Sequence, residues 1–300
     1  MNFSWKGVLR VLGIIIPLVF IIGVCLIITT QSLGLELKNL KQPSPVSQMY
    51  LKLSELIGTC LTLWLFIVGV NKEKLSVLGL QLKGHYKDLV IGLLAGLFIM
   101  SGGILIFKLF DLGTFWFTGF DWSQILISVL LFTFVSFMEE LLCRGYVQRN
   151  LEKSFNRYIA LIVASTIFAS IHLANPHMDW FSFTYLVVAG LALGWWYMET
   201  GNLWFSIGFH FSWNFFQTMF GFNVSGQDFY GIYELETKEE NLLNGGDFGF
   251  EGSIWAVITK GLIIVFTIWY LNRHPEKKIR SGLHNQNHNE DESNSDAPIH

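Results

Sequence analysis

Charge is scarce in this sequence. Only 14% of its 300 residues are Asp, Glu, Lys or Arg, while 52% are hydrophobic and 16% aromatic. A soluble domain of this size needs more polar surface than that, so the shortage excludes one. The net charge of −3 comes without a basic patch, which leaves nucleic acid no footing as a partner. Cysteine is also sparse. Cys25, Cys60 and Cys143 all lie in apolar segments, share no CxxC spacing and cannot all pair, so they read as packing residues. No small-residue cleavage site follows the first apolar run, and 8–30 is too long for a signal-peptide core, so that run reads as a membrane span.

Long apolar runs are what the sequence has in abundance. A spanning helix needs about 20 apolar residues, which predicts about eight spans: 8–30, 50–70, 88–109, 123–150, 157–173, 180–198, 203–220 and 253–271. The expected fold is an all-α polytopic helix bundle, a single membrane domain over 1–271 with a motif core at 123–220. The segment 71–88 is charged and half apolar and reads as an amphipathic stretch on the membrane surface. From 272 to 300 the chain has almost no apolar content and reads as a disordered tail, with His284 and His288 solvated. Trp195-Trp196-Tyr197 and Trp204-Phe205 read as interface anchors. With eight spans, Lys6, Arg10, Lys72, Lys74, Lys83, Lys87, Arg149, Lys153, Arg157, Arg273, Lys277, Lys278 and Arg280 share one side, and Lys38, Lys41 and Lys238 lie on the other. Both termini are therefore expected in the cytoplasm.

Three polar clusters interrupt these runs: Glu139-Glu140 with Arg144, then His172, then His210 with Asn214. A charge near mid-bilayer costs about 2.5–3.5 kcal/mol or more, so such clusters carry function unless something else explains them. Glu140 and Arg144 are four apart and can pair on one helix face. Glu139 points about 100° away and is the freer carboxylate. Phe168 and His172 share a face at a spacing of four, as do His210 and Asn214. In a hairpin turning near Lys153 and Ser154, Glu139 and His172 differ in depth by only about 6 Å at 1.5 Å per residue. His210 comes out shallower, which is the weak point of this geometry.

A partly desolvated carboxylate can take a proton from water, an imidazole can assist, and an Asn or His side chain can stabilise an oxyanion. The set suits peptide-bond hydrolysis by an activated water. Two histidines and a carboxylate (Glu139, His172, His210) also make an acceptable zinc site, although HExxH is absent.

EELLCR, FASIH and HFSWN match, in order, the EExxxR, FxxxH and HxxxN motifs of the CPBP family, and the chain resembles these intramembrane proteases related to type II CAAX prenyl endopeptidases and to the Abi bacteriocin-immunity proteins. The resemblance implies that Glu139 activates water with help from His172. It further implies that His210 and Asn214 hold the oxyanion, and that Glu140, Arg144 and Phe168 support the site. Family members have been described both as metalloendopeptidases and as glutamate-dependent enzymes, so the cofactor is either absent or a divalent metal such as zinc.

The expectation is an endopeptidase in a bacterial cell membrane, its cavity reached from the cytoplasm, acting on a peptide or membrane-protein substrate that carries a prenyl group if CAAX-like. The rival readings are a non-enzymatic immunity or partner-binding membrane protein, and a proton-coupled transporter relaying through Glu139, Glu140 and His172.

Overall fold

The structure is a computed structural model that describes residues 4–35, 43–237 and 240–278. Of the predicted disordered tail, 279–300 with Arg280, His284 and His288 lies outside those residues, as do Lys38, Lys41 and Lys238; its first part is ordered instead, because the last helix runs on to Arg273 and Lys277 pairs with the buried Asp88. Eight helices follow one another: α1 (Trp5–Ser32), α2 (Pro45–Val70), α3 (Tyr86–Leu109), α4 (Trp122–Leu151), α5 (Arg157–Ser170), α6 (Trp180–Thr200), α7 (Trp204–Met219) and α8 (Ile254–Arg273). Their starts are written locally. Asp121, Asn156, Asp179 and Ser253 each accept backbone N–H bonds that the first turn would otherwise leave unmade. Gly201, left-handed at φ 62°, ends α6 and turns the chain into α7.

Six of these helices are long and apolar enough to cross a membrane, and the molecule is an integral membrane helix bundle. Two of the eight predicted spans fall short of that criterion. At 14 and 16 residues, α5 and α7 reach only about 21 and 24 Å, short of a hydrocarbon core of about 30 Å. Helix α5 stops at Ser170 because the chain turns over 171–177, through Pro176.

Successive helices run in opposite directions, which gives the bundle two distinct ends. At the terminal end, Val8 N–H donates to Ser154, Leu203 N–H to the Gly79 carbonyl, and Lys277 pairs with Asp88. The opposite end carries a strap that the sequence did not announce. Strand β1 (Gly113–Phe117) pairs antiparallel with β2 (Tyr233–Thr237), Phe115 facing Leu235.

Small residues set how closely the helices approach. Helix α3 lies along α7 through Gly92 and Gly96. A Cβ on Gly92 would sit 2.5 Å from the Phe205 carbonyl oxygen, and one on Gly96 would sit 2.6 Å from Ser212 Oγ. Small-xxx-small contacts of this kind let membrane helices pack backbone to backbone.

One sequence expectation is corrected here. Trp196 and Phe205 are not interface anchors: both are fully buried and stack at 3.9 Å, because α6 and α7 leave a turn together and close on each other. Within the 71–88 stretch, residues 71–77 are exposed or half-exposed and Leu78 is buried. A single turn at Leu75–Leu78 tucks Leu78 into the bundle end beside the α6–α7 turn.

Candidate active site

The last turns of α4 widen from the α to the π form over Leu141–Gln148, starting immediately after Glu140; such wide turns are frequent at functional sites. This region brings all seven predicted site residues into one neighbourhood. Glu140 is fully buried, and its Oε1 accepts from Arg144 at 2.8 Å and from His210 Nδ1 at 2.8 Å. Arg144, itself 2% exposed, lies with its guanidinium 4.3 Å above the Phe168 ring. The supporting pair is thus a charge-assisted unit under an aromatic ring, with both donors on Oε1 and Glu140 Oε2 buried and unpaired.

Glu139 is arranged differently. Its Oε2 has no hydrogen-bond partner in the protein and faces His172 Nε2 at 3.8 Å and His210 Nε2 at 3.8 Å. Both rings have Nδ1 committed elsewhere: His172 donates to the Phe168 carbonyl at 2.8 Å, and His210 donates to Glu140. Each therefore turns Nε2 toward the same carboxylate oxygen. Asn214, one turn after His210 on α7, is buried and lines the same cavity.

His172 reaches this point by a different route from the expected one. It lies in the turn just past Ser170 and the cap residue Ile171, not within the helix. Its spacing of four from Phe168 survives as a side-chain bond to the Phe168 carbonyl. Despite the depth mismatch expected for His210, its ring reaches both glutamates, Nε2 at 3.8 Å from Glu139 and Nδ1 at 2.8 Å from Glu140.

A cavity of about 240 Å³ joins Glu139, Phe168, His172, His210 and Asn214 to Tyr185, Trp213, Ser225, Glu251 and Lys260. Its half-exposed and exposed rim residues, Lys52, Glu55 and Gln227, belong to the strap end. This overturns one expectation: the cavity and the chain termini were placed on the same side, and the fold puts them at opposite ends. The reason is the loop 220–253, which folds over the cavity and contributes Ser225 and Glu251 to its wall.

Glu251 and Lys260 were missed in the sequence. Glu251 sits in a Gly-rich loop that carries no signal of its own. Lys260 did carry one: a lone ammonium inside an apolar run is a functional flag by the rule already applied to the glutamates.

The donor chemistry around Glu139, two imidazole Nε2 atoms and a carboxylate oxygen, is that of a His₂Glu metal set, and each ring has the outer hydrogen bond that metal-bound histidines make. Their spacing is less favourable: among the described residues no three His, Cys, Asp or Glu side chains are grouped so as to hold a metal ion.

A protein-family model described as type II CAAX prenyl endopeptidase Rce1-like matches residues 121–216. That stretch is similar to the Rce1-like type II CAAX prenyl endopeptidases. It contains every one of the predicted site residues, from Glu139 to Asn214, and the match supports an intramembrane endopeptidase. The matched segment ends before Glu251 and Lys260, so the far wall of the cavity lies outside it. No curated protein and no solved structure matches the chain.

Proposed function

We propose that this protein is an intramembrane endopeptidase in which Glu139 activates water directly. The observation that carries the reading is the convergence of both Nε2 atoms, each at 3.8 Å, on Oε2 of Glu139, which is buried without a hydrogen-bond partner. A water held among these atoms gives a proton to Glu139 Oε2 as its oxygen bonds to the peptide carbonyl carbon. The carbonyl electron pair moves onto oxygen. His172, whose Nδ1 is fixed on a backbone carbonyl, presents an accepting Nε2 to the water. The Asn214 amide is suited to donate to the oxyanion, and His210, whose Nδ1 donates to the Glu140 carboxylate, can do so from Nε2 when its ring carries both protons. When the tetrahedral intermediate collapses, the C–N bond breaks and the proton on Glu139 passes to the leaving amine. The products are a carboxyl end and an amine end, and no covalent enzyme intermediate is needed. A divalent metal held by Glu139, His172 and His210 would instead polarise that water.

The basic residues Lys72, Lys74, Lys83, Lys87, Arg149, Lys153 and Arg157 gather at the terminal end, which supports cytoplasmic termini. On that orientation the cavity faces the other side of the membrane.

The test is cleavage of fluorogenic peptides, with and without a prenylated cysteine, by purified full-length protein in detergent. Loss of cleavage in Glu139→Gln with indifference to a strong chelator supports the reading. Loss on chelation transfers water activation to a metal. A folded wild-type protein that cuts none of the peptides counts against a peptidase.

A further inference from the structure

Lys260 is 3% exposed in the middle of an apolar helix, yet its ammonium has neither a hydrogen-bond acceptor nor a carboxylate at ion-pair distance among the described residues. Instead it lies 3.3 Å from the centroid of the Trp213 ring and 4.5 Å from that of Phe209. The nearby carboxylate of Glu251 is engaged by other donors: Tyr185 Oη at 3.3 Å, Trp213 Nε1 at 3.0 Å, and the backbone N–H and hydroxyl of Ser225 at 2.8 and 2.7 Å. Glu140 is balanced by Arg144. Two charges without a direct partner therefore border one cavity, the Glu139 carboxylate and the Lys260 ammonium. A buried ammonium held only over aromatic faces keeps three N–H donors for an arriving acceptor, and an anion is the ligand that would use them best.

We propose that Lys260 anchors a carboxylate of the substrate, so that the enzyme selects peptides carrying a free carboxylate near the scissile bond. This rests on the endopeptidase reading. Trp213, the platform under Lys260, is the residue before Asn214, about 100° around the same helix. The positive end of the cavity thus adjoins the group assigned to the oxyanion. A peptide lying along the cavity places its carbonyl at Glu139 and its carboxylate at Lys260, and each end meets the charge it needs. The carboxylate has two sources, the chain's own C-terminus or an acidic side chain near it.

Three peptides of one sequence separate these possibilities: a C-terminal acid, its C-terminal amide, and an amide ending in Asp. Binding is measured on full-length Glu139→Gln protein, with Lys260 intact or replaced by Met or Arg. Cleavage is measured on wild type and Lys260→Met, with Lys260→Gln as the substitute if the Met variant does not survive purification. The acid is expected to bind tighter than the amide by about tenfold or more, as for loss of a charge-assisted hydrogen bond. Lys260→Met removes the difference, Lys260→Arg keeps part of it, and the kinetic effect falls on KM more than on kcat. Recovery by the Asp-amide peptide assigns the site to a side-chain carboxylate.

Equal binding of acid and amide, or a preference that survives Lys260→Met, overturns the assignment. A uniform loss of stability and of kcat for all three peptides also overturns it, leaving Lys260 as the counter-charge of Glu251. Acid-selective binding without any cleavage would sink the peptidase reading and keep the carboxylate site, whereas neither binding nor cleavage would sink both.

Discussion

Glu140 accepts from both Arg144 and His210 through Oε1 at zero exposure, while the neighbouring Glu139 has no such cation and turns its unpaired Oε2 toward the two histidine Nε2 atoms. Substitutions at the two positions should therefore fail in opposite ways. Glu139→Gln keeps the shape and breaks no bond to Oε2, so its melting temperature should match wild type while cleavage falls by about 10²–10⁴, the usual contribution of a general base. Arg144→Met leaves a carboxylate buried without its cation and should cost about 3–5 kcal/mol, read as a large drop in thermal midpoint whatever the activity assay shows. An activity loss in Arg144→Met with unchanged stability would mean that the pair acts in chemistry and not in support. Adjacency in the chain already separated these roles, since a 100° step divides the faces. The Glu140–His210 bond could not be foreseen, because it joins residues 70 apart in sequence.

The contact of α3 with α7 holds His210 and Asn214 in place, and Gly92 and Gly96 permit it. Gly96→Val drives a side chain into Ser212 and should destabilise by about 1–3 kcal/mol, as overpacked interfaces do. Activity should fall further than stability, because α7 carries half of the site. Gly102, on the same helix with open space around it, is the control: Gly102→Val should leave both unchanged, measured as thermal midpoint and cleavage rate side by side. The eight helices were legible because each is a largely apolar run, and six of them open on a capping side chain. The shortness of α5 was not, since the apolar pattern continues through Ile171 and Leu173 into the turn and composition cannot separate a helix from a buried loop.

Across the whole molecule, Glu73 gathers Arg10, Arg149 and Lys153 at the terminal end, at 2.7–2.8 Å, and ties α1 and the loop after α2 to the last turns of α4. Burial pushes the Glu73 carboxyl up, but the three cations outweigh it and hold it at about 2, below its ordinary 4.5. A depressed carboxyl contributes stability that is complete above its unfolded value, here about 4.5, and is lost as the pH falls toward about 2. Thermal midpoints taken between neutral pH and pH 3 should fall less steeply in Glu73→Gln than in wild type. Burial pulls Lys153 down to about 8 in spite of Glu73, with Arg149 and Arg10 adding to the effect. The two shifts describe one carboxylate oversupplied with cations, so Lys153→Met should cost less than Glu73→Gln. The two ends of the bundle can be assigned by labelling with a membrane-impermeant thiol reagent, in cells expressing the Gln227→Cys or Lys277→Cys variant with the native cysteines replaced. Labelling of 227 alone fits the proposed orientation, and labelling of 277 alone reverses it.

The sequence by itself determined that this chain is a helical membrane protein and singled out the seven residues that the fold brings into one neighbourhood, because hydropathy and helical spacing are local and a polar side chain in lipid is costly wherever it occurs. Only the tertiary structure decided that His172 serves from a turn, that the cavity lies at the end away from the termini, and that Glu251 and Lys260 complete its wall. Those facts depend on how a 34-residue loop, 220–253, folds back over the bundle, and long-range contacts of that kind leave no period in the chain that makes them.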